Sequence, residues 1–280
     1  MEFSIITPSF RQLGWLKRAV RSVADQGVEL EHLIQDAGTG PELEQWVREQ
    51  SHAQLFVEKD RGMYDAINRG FARATGEICG YLNCDEQYLP GTLARVARAF
   101  SENPWADAVA GDYLVLDGEN RLLSFRKVTP LRRAMILTDH LYAFTCAIFF
   151  RRKILEAGLH FNPDLKDVAD LEWVCAVLAR GYRFAIIPEF LSTFTFTGDN
   201  RSAQNLARHE LAAIRARLPL WLRLAAPALR AFRHLEKWRV GGYRSKRIEY
   251  AVYAADDAVE RTRFSCEHPS FRYPGTAAQD

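Results

Sequence analysis

The sequence predicts an α/β fold: a mainly parallel central sheet flanked by helices, with a helical extension at the C-terminus. Three observations carry this. Short apolar, β-branched runs alternate about four times with stretches of helical periodicity in the first hundred residues. The second, third and fourth strand candidates each end in a polar cluster holding a carboxylate (Asp36, Asp60 and Asp85), where an open parallel sheet carries its functional loops. The composition is globular, with 48% hydrophobic and 26% charged residues in 280 and a net charge of +2. That balance excludes a disordered chain and a generally basic nucleic-acid binder.

Taken in order, residues 3–6 read as a buried strand running into the loop Thr7-Pro8-Ser9. Leu13, Leu16, Ala19, Val20 and Val23 share one helical face. Residues 30–35 form a second strand, closed by the turn cluster 36–41, and Leu43, Trp46 and Val47 mark the next helix. Residues 53–57 are a third strand. Ala66, Ile67, Phe71 and Ala72 line a helix that stops at Gly76, and residues 78–82 are a fourth strand. A helix over 90–100 completes this half.

The pattern then changes. Residues 108–116 and 122–127 flank Asp117-Gly118-Glu119-Asn120, a hairpin signal. Residues 145–150, 182–187 and 190–196 are strand-like, and 170–180 is helical with Leu171, Val174, Cys175 and Leu178 on one face. From about 203 the chain reads as helical and Arg-rich, and 269–280 as a loose tail. The expected division is a unit over 1–202 with halves 1–103 and 104–202, a basic helical extension over 203–265, and a tail over 266–280. The five cysteines include no C-x-x-C pair, and neither a leader pattern nor a long apolar span is visible, so a cytoplasmic location is expected.

Four constellations bear chemistry. Asn83-Cys84-Asp85-Glu86 brings carboxylates to a sheet edge, suited to Mg²⁺ or Mn²⁺ when phosphates supply the remaining oxygens, or else to a solvated turn. The stretch 58–70 starts a helix near Gly62, where Asp65 complements the helix dipole and Asn68 serves as a packing polar residue. Asp36 suits either a base or ribose contact or an Asx turn. Asp170 opens a helix as a cap or serves as a general base, and Glu172, two residues on, points to another face.

These pieces, in this order, resemble the inverting family 2 glycosyltransferases of bacterial cell-surface polysaccharide synthesis, which have a GT-A nucleotide-sugar-binding fold. The resemblance covers residues 3–202. It rests on Phe3-Ser4-Ile5-Ile6-Thr7-Pro8-Ser9-Phe10, on His32-Leu33-Ile34-Gln35-Asp36-Ala37-Gly38-Thr39, on Glu58-Lys59-Asp60-Arg61-Gly62-Met63-Tyr64-Asp65-Ala66-Ile67-Asn68-Arg69-Gly70 with Ala74-Thr75-Gly76-Glu77-Ile78 and Leu82-Asn83-Cys84-Asp85-Glu86, and on Ala169-Asp170-Leu171-Glu172-Trp173 before Gly181-Tyr182-Arg183-Phe184. It implies that Asp36 contacts the nucleotide base, with Thr7, Pro8 and Ser9 lining the same pocket. Asp60, Gly62, Tyr64, Asp65, Asn68 and Asn83 would lie along the nucleotide-sugar. Asp85, with Glu86 in support, would hold Mg²⁺ or Mn²⁺ on the diphosphate, and Asp170 would be the catalytic base. The implied donor is a UDP-sugar and the implied acceptor a saccharide or lipid-linked saccharide.

The sequence departs from the family pattern in places. Asn83 replaces a common Asp, Ala169 a common Glu, and Thr145-Cys146 stand where His-Gln is frequent. Two other readings share such a sheet. A nucleotidyltransferase would want a Gly-rich, Arg-bearing loop after the first strand, which Ser9-Phe10-Arg11-Gln12 is not. A catalytically silent nucleotide-sugar-binding scaffold is opposed by the retained Asp85 and Asp170.

The overall charge hides a segregation. Residues 207–248 hold eleven Lys or Arg against Glu210 and Glu236, a net +9, leaving −7 for the rest. Leu218, Leu220, Trp221, Leu222, Leu224, Leu229, Phe232, Leu235 and Trp238 are interleaved with the basic residues. This composition fits an amphipathic helix on an anionic membrane at the inner face of the plasma membrane, or one docked on the catalytic unit or a partner subunit. Pro219 and Pro227 are expected to break or kink it.

Overall fold

A computed structural model of the chain describes residues 2–196 and 205–274. The boundary expected at 202–203 and residues 275–280 of the expected tail lie outside them. In the first half, β1 (Phe3–Ser9), α1 (Leu13–Ala24), β2 (Leu30–Asp36), α2 (Pro41–Arg48), β3 (Ala53–Val57), α3 (Met63–Phe71) and β4 (Ile78–Tyr81) follow the predicted alternation. β1 lies parallel to β2 and β4, and β2 parallel to β3. Neighbouring residues of β2 enter opposite layers. Leu33 joins the main core with Phe3, Ile5, Ile67 and Phe71, while Ile34 packs with Leu16, Val20, Leu43 and Val47. Helices cover both faces, which is why β1 is buried along its whole length. Thr7-Pro8-Ser9 is therefore the end of β1 and not a loop.

β5 (Glu86–Tyr88) and α4 (Thr92–Glu102) close the first half, and β6 (Ala108–Asp117), β7 (Leu122–Arg126), α5 (Arg133–Thr138), β8 (Ile148–Arg151), α6 (Lys153–Glu156), α7 (Ala169–Ala179) and β9 (Phe184–Phe196) follow. The main sheet runs β3-β2-β1-β4-β8-β6-β9-β5, with β7 paired to β6. β8 is antiparallel to both β4 and β6, and β9 is parallel to β6. The strand expected at 145–150 begins only at Ile148, because Thr145–Ala147 form a 3₁₀ turn. The two strands expected at 182–187 and 190–196 are one. A register shift around Asp112 lets β9 run past Pro188 without breaking the pairing. β5 and α6 carry too few residues for a periodic signal.

The C-terminal region departs most from expectation. α8 (Asn205–Ala216) and α9 (Leu220–Arg239) are helical, but β10 (Ile248–Val252) and β11 (Thr262–Cys266) form an antiparallel hairpin inside the segment expected to be helical. Ile248, Tyr250 and Val252 alternate with period two and pack against Leu114, Leu116 and Phe125. The nominal tail is anchored too: the Phe125 N–H donates to the Ser270 carbonyl at 2.9 Å. Pro219 caps α9, and Pro227 lies inside a helix of 20 residues. α9 packs on α5, where Arg233 reaches Asp139 at 2.7 Å and Arg132 reaches Glu236 at 2.9 Å.

Part of the family-like motif is structural. Gly76 lies so close to β1 that a Cβ there would sit 2.6 Å from the Phe3 carbonyl carbon. Glu31 accepts from Ser4 Oγ at 2.5 Å, the Thr75 N–H at 2.6 Å and Thr75 Oγ1 at 3.0 Å. Burial opposes the charge of Glu31, but these donors outweigh it and lower its pKa.

Candidate active site

Parallel pairing carries the C-terminal ends of β1, β2 and β4 to one edge. Ser9 faces Asp36 in register, and Ile6 faces Tyr81, just before Asn83 and Asp85. The turn after β4 then reverses into β5, so Asp85 stays at the rim while Glu86 goes inside. Glu86 is fully buried, and its carboxylate accepts from the Asn83 N–H at 2.7 Å and Asn83 Nδ2 at 3.2 Å. Burial pushes the Asp85 carboxyl above the usual carboxylate range. Burial and the neighbouring Asp85 charge push Glu86 up as well.

The fit to a divalent cation can be judged from these donors. Among the described residues, no three His, Cys, Asp or Glu side chains gather closely enough to hold a metal. Asn83 Oδ1, however, is buried with no hydrogen-bond partner, beside two carboxylates whose ionisation is penalised. Hard oxygens with unmet demand for positive charge suit Mg²⁺ or Mn²⁺, provided a diphosphate completes the shell. Glu86 is turned toward Asn83, which makes it the support of that residue.

Asp170 enters from the second half. It sits in the first turn of α7, where its Oδ1 accepts the Leu171 N–H at 2.7 Å. Burial raises its pKa to about 6, against the lowering effects of that bond and of a bond from the Tyr64 hydroxyl. The position of α7 is set by an aromatic layer. Trp173 is buried and stacks on Phe161 at 4.9 Å, and Phe161 stacks on Tyr64 at 5.7 Å. Such pairs contribute about 1 kcal/mol each beyond the area they bury.

The remaining predicted residues divide by what their polar groups touch. Thr7 Oγ1 lies 2.8 Å from His32 Nε2 inside the sheet. Pro8 and Ser9 are buried at the end of β1. Asp36 closes its own turn, accepting the Gly38 N–H at 2.9 Å and the Thr39 N–H at 2.6 Å. Asp60 accepts the Gly62 N–H at 2.9 Å, and Gly62, at φ 132°, adopts a conformation that other residues resist. Asp65 pairs with Arg69 at 3.1 Å. Asn68 bridges to the backbone of Phe161, donating at 2.7 Å and accepting at 3.0 Å. Asp65 lies in the first turn of α3 and Asn68 joins that helix to Phe161.

A family model described as "Glycosyl transferase family 2" matches residues 4–159. The chain belongs to this family. Among curated relatives, the uncharacterised glycosyltransferase MT1564 of Mycobacterium tuberculosis is 34% identical over 103 residues, covering 35% of this chain and 39% of that protein. The PGL/p-HBAD biosynthesis glycosyltransferase of Mycobacterium bovis (BCG) is 32% identical over 180 residues, 61% of this chain and 67% of that protein. The chain thus matches about two fifths of the length of MT1564 and two thirds of the second relative. Among solved structures, Staphylococcus aureus TarS 1–349 in complex with UDP superposes with a TM-score of 0.59 at 17% identity, covering 87% of this chain and 74% of TarS 1–349. The mannosyltransferase PcManGT of Pyrobaculum calidifontis, in complex with GDP-Man and Mn²⁺, gives 0.56 at 19%, covering 86% and 72%. These likenesses are ones of fold, and the fold is GT-A.

Within this family 2 chain, several site residues escape a motif reading. Tyr81 is buried, and burial together with the neighbouring Tyr64, Asp170 and Glu86 raises its hydroxyl well above the usual range. Cys146 accepts from Ser192 Oγ at 3.1 Å, and burial together with Glu86 raises its thiol well above the usual range. Glu210, on α8, accepts the N–H groups of Lys166 at 2.8 Å, Asp167 at 3.0 Å and Val168 at 3.2 Å, directly ahead of Asp170. The only signal for it in the sequence is an acidic residue in an otherwise basic run.

Proposed function

We propose that the chain transfers a sugar from a nucleoside-diphosphate sugar to an acceptor hydroxyl, with inversion at the anomeric carbon. The observation that carries this reading is Asp170: a recessed carboxylate at the first turn of α7, its Oδ1 held by the Leu171 N–H at 2.7 Å and its pKa raised to about 6. A carboxylate so placed is ionised near neutral pH and basic enough to take the proton of an attacking hydroxyl. Asp85 and Asn83 Oδ1 would hold Mg²⁺ or Mn²⁺. The ion, when bound, would offset the negative charge that grows on the departing diphosphate. Ser9 and the turn shaped by Asp36 would border the nucleotide, and the Asp60–Gly62 turn would border its sugar end.

A UDP-sugar is the proposed donor, supported by the fold shared with TarS, whose structures hold UDP and UDP-GlcNAc. The proposed acceptor is a saccharide, carried on a lipid at the cytoplasmic face of the membrane. Its support is the basic C-terminal region and the relative in PGL/p-HBAD biosynthesis.

Calorimetry with UDP-sugars and Mn²⁺, paired with an assay of UDP release, tests the reading. Asp85→Asn should lose metal-dependent UDP binding. Asp170→Asn should bind the donor as before and release no UDP. Full turnover by Asp170→Asn would refute the base assignment.

A further inference from the structure

α9 buries one side against the fold and leaves an apolar stripe on the other. Leu222, Arg233 and Glu236 are buried on the side facing α5. On the other side Leu220, Trp221, Leu224, Leu235 and Trp238 are exposed by 67%, 68%, 72%, 42% and 59%. A helix advances about 100° per residue, so these five fall within one arc of about 100°. Ala228 and Ala231 complete the arc, and no charged residue between Leu220 and Trp238 interrupts it. A contiguous apolar face of this kind marks an interaction surface.

The charges around it indicate the kind of surface it meets. Arg217, Arg223 and Arg239 are exposed beside the stripe. Near its first turn, α8 and α9 enclose a cleft of about 430 Å³ lined by Arg215, Arg223 and Leu218. A second copy packed face to face would bring these arginines against their equivalents, an unfavourable arrangement. An anionic bilayer offers hydrocarbon to the stripe and phosphates to the arginines. Among the described residues no helix is long and apolar enough to cross a membrane, so α9 would lie in the plane of the headgroups.

We propose that α9 docks the protein on an anionic bilayer, inserting Leu220, Trp221, Leu224, Leu235 and Trp238 while Arg217, Arg223 and Arg239 engage lipid phosphates. This deepens the lipid-linked acceptor reading, but its test measures binding and not turnover, so the two stand or fall separately.

The test is co-sedimentation of the full chain with phosphatidylcholine vesicles, with and without phosphatidylglycerol, at low and high salt. Binding is expected only with the anionic lipid, weakened by salt. Trp221→Ala/Leu224→Ala/Trp238→Ala should bind about tenfold more weakly or worse. Its thermal unfolding should match the parent, because all three side chains are exposed. Arg223→Ala/Arg239→Ala should bind more weakly and with less salt dependence. Intact protein left in the supernatant at low salt, or unchanged binding by the triple variant, overturns the proposal. So does a concentration-dependent dimer in sedimentation velocity that the triple variant abolishes, since a second copy would then cover the face.

Discussion

The Glu210 carboxylate is bound to the Val168 N–H at 3.2 Å, as well as to the N–H groups of Lys166 and Asp167. Val168 is the N-cap of α7 and has no side-chain cap of its own. A residue of the C-terminal extension therefore supplies the acceptor that orders the turn before Asp170. Glu210→Ala should lower stability by about 2 kcal/mol, as expected for losing charge-assisted hydrogen bonds. It should also reduce kcat while leaving the KM for the donor unchanged. Urea denaturation and steady-state kinetics check the two effects, and an unchanged kcat would count against a positioning role.

The pH dependence follows from Asp170. As the proposed base it must be ionised, so with a pKa of about 6 the rate should fall about tenfold per unit as pH drops below that value. The Tyr64 hydroxyl lowers this pKa, so Tyr64→Phe should move the acid limb of the rate profile upward. Stability runs the other way. The folded pKa lies above the ordinary 3.8, so the folded state holds the proton more tightly, and stability falls as pH rises from about 4 through 6. Asp170→Asn should flatten that slope in thermal melts.

Asn68 is a stability residue by its contacts. Asn68→Ala strands the Phe161 N–H and carbonyl together, at a cost of about 2–3 kcal/mol in urea unfolding. Asn68→Asp keeps an acceptor for the N–H but loses the donor to the carbonyl, and should fall between the two proteins.

Asp139, at the end of α5, ties α9 to the main sheet unit through Arg233. Burial opposes its charge, yet His140, Arg233 and Arg230 hold its pKa well below the usual carboxylate range. A depressed carboxyl pKa contributes stability that is present above the unfolded value near 4 and lost as pH falls. Asp139→Asn should destabilise the protein by about 2 kcal/mol at pH 7 and show little difference from the parent in strong acid, as read by chemical denaturation across pH.

Much of the fold is legible without coordinates. The alternation over the first hundred residues, the strand at 53–57 and the carboxylates at strand ends arise from local periodicity and turn chemistry, which the backbone obeys directly. β5 escaped because three residues, two of them polar, carry no period, and their burial comes from pairing with β9. The hairpin at β10 and β11 was hidden by its basic surroundings, although Ile248, Tyr250 and Val252 alternate openly.

The sequence by itself determined the family, the order of the elements from β1 to β4 and the edge at which Asp36 and Asp85 appear, because short-range pattern and residue type suffice for these. Tertiary structure alone decided which polar groups remain available for chemistry. Folding directs Glu86 onto Asn83, Asn68 onto Phe161 and Glu210 onto the approach to Asp170. It also decided which side of α9 is spent on α5 and which is left to meet another surface. The physical reason is that hydrogen bonds and burial are settled between segments distant in the chain, and no local pattern records which partner a side chain will find.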